Sequence, residues 1–256
     1  LERFASFDLP ITHGLIGQAR FELGEPESAL ASFMAMRRTA AAGGQPFSDA
    51  VGAAGMAAAY PLMGSKEDSL SLLEKTRIGE GPMGDYFASS SWYYVGLSRL
   101  LLGDAESAVD AFNSGVAAPA VVQYLDRVRL LAGLSQALID AGDLDRAGTI
   151  LDEAREFVVQ KRLDEPEPSL IIVDGNLRAA KGDVAEARAR LAEGMVAADA
   201  LGHRWAAFRA AYGLARITGS LVDAQARSDD IALRIVDPTL AASFRARWVV
   251  SSRTTI

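Results

Sequence analysis

The sequence predicts an all-α protein built as a row of about six helix-turn-helix units, and three observations predict it. Six glycines, Gly24, Gly64, Gly103, Gly142, Gly182 and Gly219, recur 40, 39, 39, 40 and 37 residues apart. That period lies within the roughly 20 to 50 residues at which one supersecondary unit stacks on its neighbours to share a core. The residues before each glycine run at helical spacing, as in Trp92, Val95, Gly96, Arg99 and Leu100. No alternating Val, Ile or Thr run is long enough to argue a sheet, although 50% of the 256 residues are hydrophobic.

Each unit is justified in the same way. The glycine ends a first helix, because only glycine enters the left-handed C-cap conformation without a Cβ penalty. The residue after it, Glu25, Ser65, Asp104, Asp143, Asp183 or Ser220, is predicted to cap a second helix. Ser65 with Asp68, Asp183 with Glu186 and Ser220 with Asp223 have the spacing of a capping box, and Pro26 suits a first helical turn. The units fall at about 9–43, 47–80, 84–118, 121–162, 167–201 and 203–236, followed by a capping helix at 238–250, all in one domain. Asp164-Glu165-Pro166-Glu167-Pro168 reads as a stiff acidic connector between the fourth and fifth units.

Packing is legible in three registered positions. Five residues after each glycine come Ala29, Ser69, Ala108, Ala147, Ala187 and Ala224; nine after it come Phe33, Leu73, Phe112, Leu151, Leu191 and Ser228. Seven before it come Gly17, Ala57, Gly96, Ser135, Gly175 and Tyr212. Small residues let two helices approach, and the large one fills the space between them. Tyr212 and Ser228 break the pattern in the sixth unit, so residues 220–256 are expected either as a true repeat or as a cap.

In the third unit Trp92, Gly96, Gly103, Ala108 and Phe112 stand in the order and spacing that resemble the tetratricopeptide repeat. The likeness covers about residues 9 to 236. The other units lack the Trp and the terminal Pro, and their period exceeds the usual length of about 34, so the match is to a divergent, long variety. The resemblance implies a right-handed α-solenoid in which each unit touches only its neighbours and a cap covers the last one. Long-period repeats of this kind are similar to the C-terminal sensor regions of large bacterial signalling ATPases, including maltose-type transcriptional activators and cyclase-linked ATPases. The segment from Asp237 to Phe244 is similar to the helix that ends those proteins.

The same resemblance implies that first helices line a concave face, reached by positions thirteen, ten, six and three before each glycine. In units three to six that stripe offers Tyr93, Arg129, Gln136, Asn176, Arg209 and Arg216, a mixture that suits peptide backbones and carboxylates. The competing reading is an ordinary solvated inner face, with Tyr93 packed against Trp92 and Tyr94.

Charge and chemistry narrow the function. Lys and Arg number 26 against 33 Asp and Glu, a net charge of −7, which argues against nucleic-acid binding. The C-terminal quarter is locally basic through Arg204, Arg209, Arg216, Arg234, Arg245, Arg247 and Arg253, with Trp205, Phe208 and Trp248 interleaved. It is expected to be a solvated face over buried aromatics, the other reading being a site for an anion or an acidic partner. Without a membrane-length apolar run or a signal peptide the chain reads as soluble and cytoplasmic. The absence of cysteine excludes disulfides and thiolate metal sites. Opening on Leu1 rather than Met, it reads as part of something longer.

A catalytic constellation is hard to find. His13 and His203 have Gly17 and Ala207 at i+4, not a second ligand, so both are expected to be structural, with no metal and no cofactor. No Ser lies in a Gly-x-Ser-x-Gly elbow. Gly79, Gly81 and Gly84 spell a dinucleotide fingerprint, but in an inter-repeat loop rather than between a strand and a helix. Gly64-Ser65-Lys66 has Ala59 where a phosphate-binding loop needs its leading glycine. The acidic pairs Asp140 with Asp143 and Glu165 with Glu167 stand at turns, where acids face water or cap helices, rather than as a glycosidase pair. The expectation is a non-enzymatic interaction or sensor scaffold of a bacterial signalling or transcriptional regulator. It would bind a protein segment, a peptide or a small effector in its groove and change curvature on binding. The alternatives are a structural oligomerisation element and an α-helical toroid hydrolase.

Overall fold

The computed structural model describes residues 2–80, 83–118, 124–163 and 168–248, with side chains from residue 9 onward except 86, 124 and 125. Gly81, Pro82, the acidic connector at 164–167, the cap's last residues Val249 and Val250, and Arg253 lie outside them. The described residues form thirteen helices: α1 (Glu2–Glu22), α2 (Pro26–Gly43), α3 (Pro46–Leu62), α4 (Lys66–Lys75), α5 (Gly84–Leu102), α6 (Ala105–Val116), α7 (Tyr124–Asp140), α8 (Leu144–Lys161), α9 (Pro168–Ala180), α10 (Val184–Ala200), α11 (Arg204–Thr218), α12 (Val222–Ala232) and α13 (Pro238–Arg247). Contacts run mainly between sequence neighbours. The odd-numbered helices from α1 to α11 also touch one another in succession, which makes an inner layer with the even-numbered helices outside it.

The turn chemistry follows the sequence closely. All six periodic glycines have positive φ, from +71° at Gly24 to +85° at Gly142 and Gly182. At the start of the second helices, Asp104, Asp143 and Asp183 accept from the backbone N–H three residues on, at 3.2, 3.3 and 3.4 Å, and Pro26 opens α2. Three expected caps differ. Glu25 flanks α2 without a side-chain hydrogen bond to the backbone. The Ser65 hydroxyl donates to the Asp68 carboxylate instead of accepting from the backbone. Ser220 does not cap α12, which starts one residue later with Leu221 as its flanking residue; its N–H is taken by the Thr218 hydroxyl at 3.2 Å.

Small and large positions interlock the two layers. A Cβ at Gly96 would lie 2.6 Å from the Phe112 ring, one at Gly17 2.9 Å from Phe33, and one at Gly175 2.7 Å from Leu191. On its far side Phe112 is met by Gly133 of the next unit and Phe33 by Gly55. Each such side chain therefore wedges between the first helix of its own unit and that of the following one, fully out of water. Where the small position is serine, its hydroxyl is used: Ser135 donates to Ala147 O at 2.9 Å, and Ser69 to Ala57 O at 2.7 Å. In the sixth unit, whose period is the shortest, the small contact is made on either side of the expected position. Ala211 and Ala215, rather than Tyr212, cluster with Ala224, and the buried Ser228 is followed by the buried Ile231.

The chain departs from neighbour-only contact at its ends. Helix α11 touches α1, and the turn after α1 is gripped by the sixth unit. Arg204 donates to Leu23 O at 3.3 Å, Arg234 lies 3.9 Å from Glu25, and Glu27 accepts from the backbone N–H of Val236. Helix α13 lies over the C-terminal ends of α3 and α5, where Arg247 donates to Pro61 O at 2.8 Å and to Leu101 O. One core cluster consequently joins Phe21, Phe33, Leu97, Trp205, Phe208 and Phe244, from both ends of the sequence. The physical reason is aromatic area: these rings are too large to leave wet on the flank of a last unit.

Candidate functional site

The inner layer borders a partly open cavity of about 250 Å³. Its lining includes Tyr93 of α5, Arg129 and Gln136 of α7, Asn176 of α9, and Arg209 and Arg216 of α11. All six stripe residues thus reach one space, although their helices come from four units. They do so because each first helix presents the same offsets from its turn glycine toward the interior.

One end of the cavity is polar. Asn176 donates its amide to the Gln136 carbonyl at 2.7 Å, and Gln136 donates onward to Asp140 at 2.9 Å. Burial among the surrounding helices raises the Asp140 carboxyl above the usual carboxylate range, while the Gln136 hydrogen bond and the charges of Arg209 and Arg216 pull it back. Asp140 is nonetheless exposed at the end of α7, as its turn position suggests, while it also lines the cavity. Its sequence neighbour Asp143 caps α8 and pairs with Arg146 at 3.1 Å. His203, at the start of α11, also lines the cavity, as does Glu22.

The rest of the wall is apolar and aromatic. Leu97, Leu100 and Leu101 face Phe208, Tyr212 and Trp248. The Trp248 ring meets Trp205, Phe208 and Tyr212 edge-on, with centroids 5.6, 5.3 and 5.5 Å away, and the Arg247 guanidinium lies over it at 5.2 Å. Tyr93 packs edge-on against Tyr94 at 5.2 Å, as expected, and tilts against Phe112 at 6.4 Å. Trp92 lies instead beside Gly115.

A second, smaller cavity of about 60 Å³ opens between the first four units, bounded by Gln18, Phe47, Phe87, Tyr94 and Asp126. Asp126 is only 7% exposed. Burial raises its carboxyl, opposed by a 2.8 Å hydrogen bond from Ser90 and by the charge of Arg129.

Two features went unread in the sequence. Asp174, buried in α9, gathers Arg155 at 2.7 Å, Arg178 at 3.0 Å and Arg190 at 3.2 Å. These are ion-pair distances; Arg178 alone also has hydrogen-bond alignment among the three. The other is Asp140, whose partners come from separate units. Neither had a local signal beyond an acid at a helical position. Among the described residues no three His, Cys, Asp or Glu side chains group as metal ligands, and no helix is long and apolar enough to cross a membrane. A scan against protein-family models finds no match, and a search of curated proteins finds none either.

Proposed function

We propose that the chain is a non-enzymatic interaction or sensor module, a divergent tetratricopeptide-like α-solenoid whose inner cavity holds a small effector or the end of a peptide. The carrying observation is that Tyr93, Arg129, Gln136, Asn176, Arg209 and Arg216 line one cavity. A merely solvated inner face has no need of amides ordered into the relay from Asn176 through Gln136 to Asp140. The volume, just under the range of about 300 to 1,000 Å³ usual for ligand pockets, favours a small molecule or a chain terminus over a long peptide. By the sequence likeness the natural setting is a bacterial signalling or transcriptional regulator.

The test is a thermal-shift and calorimetric screen of the purified protein against short peptides and small polar metabolites. Binding of a hit should be abolished by Arg129→Ala combined with Gln136→Ala, with helix content by circular dichroism unchanged. A hit that binds this variant as well as the parent removes the cavity as the site.

A further inference from the structure

Resting on that reading of the cavity, we infer that its occupant is a small organic acid, a monocarboxylate with an apolar body, whose carboxylate is held by Arg209 and Arg216 of α11. The first ground is the sorting of charge at the C-terminal end. Arg204 pairs with Asp230 at 3.3 Å, Arg227 with Asp199 at 2.7 Å, and Arg245 with Asp229 at 3.0 Å. All three face the outside or the seam. Arg209 and Arg216, the two that line the cavity, have no carboxylate within ion-pairing distance among the described residues. In a chain carrying 33 acids and 26 bases, the half-buried Arg209 and the exposed Arg216 on the cavity wall differ in this from Arg204, Arg227 and Arg245.

The second ground is the inventory of donors and acceptors. The nearest acid acting on these arginines is Asp140, already engaged by Gln136, and the Gln136 carbonyl is taken by Asn176. The polar end is richest in N–H donors: two guanidinium forks and one further amide hydrogen each on Asn176 and Gln136, against the remaining Asp140 oxygen. Such an end selects an acceptor-rich anion, and a carboxylate matches the fork. Three arginines, Arg129, Arg209 and Arg216, set against two carboxylates, Glu22 and Asp140, leave one positive charge on the lining, which balances a monoanion better than a dianion. The third ground is the rest of the lining, where the half-buried Leu100, Tyr212 and Trp248 offer apolar surface that a bare inorganic ion would leave unused.

The experiment is calorimetry with a series of probes: acetate, 4-methylpentanoate, phenylacetate and indole-3-acetate, each beside its primary amide, with inorganic phosphate as the bare anion. Affinity is expected to rise with the apolar body and to fall at least about tenfold from acid to amide. Arg209→Met and Arg216→Met, which keep an apolar stem and good helix propensity, should each weaken acid binding by about tenfold or more. Circular dichroism and the urea midpoint verify that both variants fold. Amides binding as well as acids, acid binding that survives both substitutions, or phosphate binding more tightly than every acid would each overturn the inference. If no acid binds while a hit from the wider screen is still abolished by the Arg129 and Gln136 substitutions, the acid assignment falls and the cavity reading stands. If both screens are silent at millimolar concentrations, both fall.

Discussion

Two glycines show how one residue type serves opposite ends. Gly142 has φ +85° and nothing within 4 Å of where a Cβ would be, whereas Gly96 is helical and pressed against Phe112. Gly142→Ala should cost about 1 to 2 kcal/mol of backbone strain, and Gly142→Asn should recover part of it, since Asn tolerates the left-handed conformation. Gly96→Ala gains about 1 kcal/mol of helix propensity. It loses about 1 to 3 kcal/mol because a ring clamped by Gly96 and Gly133 has nowhere to move. Gly96→Asn should be worse still, so the ranking of Ala and Asn reverses between the sites, read from urea midpoints. Asp126 supplies a pH dependence. Because burial raises its carboxyl above 3.8, the folded state holds that proton more tightly than the unfolded chain. Its contribution to stability is therefore greatest below 3.8 and is lost as pH climbs through the folded value. Ser90→Ala removes the hydrogen bond that favours the carboxylate, so the Asp126 titration followed by NMR should move further up; a downward move would contradict the assignment.

At the scale of elements, the caps are what the sequence encodes most directly. Asp143→Ala should cost about 1 kcal/mol by freeing the Arg146 N–H at the start of α8. Ser65→Ala should cost less, since its hydroxyl bonds to Asp68 rather than to the backbone; equal losses in a chemical melt would refute that distinction. Helix pairs, turn glycines and the stripe of six inward residues were all legible, because each depends on spacing within one unit. The failures share a cause too. The placing of Ala215 against Ala224 depends on where α11 is pinned by α1, and Asp140 acquires its environment from Arg209 and Arg216, about 70 residues away along the chain. Period and propensity carry no such information. Ser220 misled because it has a good capping side chain, but its N–H was claimed by Thr218 and the helix began later.

For the whole molecule, the decisive contact is between the two ends of the sequence. A row of units that touch only their neighbours can melt piecemeal, whereas here the largest aromatic cluster requires α1 and α11 together. Unfolding followed by tryptophan fluorescence in a Trp92→Phe background, which reports Trp205 and Trp248 within that cluster, should therefore coincide with loss of helix by circular dichroism. Arg247→Ala should lower the common midpoint by about 2 kcal/mol or more in stability, since it strips partners from Pro61 O and Leu101 O at the ends of two helices. Two separated transitions in the parent protein would show that the ends melt independently.

If the chain is the sensor proposed above, the seam that includes Leu23 and Arg204 bears on how a signal would leave the molecule. An open coil of helices behaves as a spring, answering each increment of load with an increment of bend. Once its ends are fastened, the same coil becomes a catch: small loads are resisted outright, and a sufficient one releases the fastening all at once. On the proposed reading, an occupant of the interior would then be reported as an all-or-none event at that seam, tuned by the aromatic cluster and by the contacts of Leu23, Glu25 and Glu27 together.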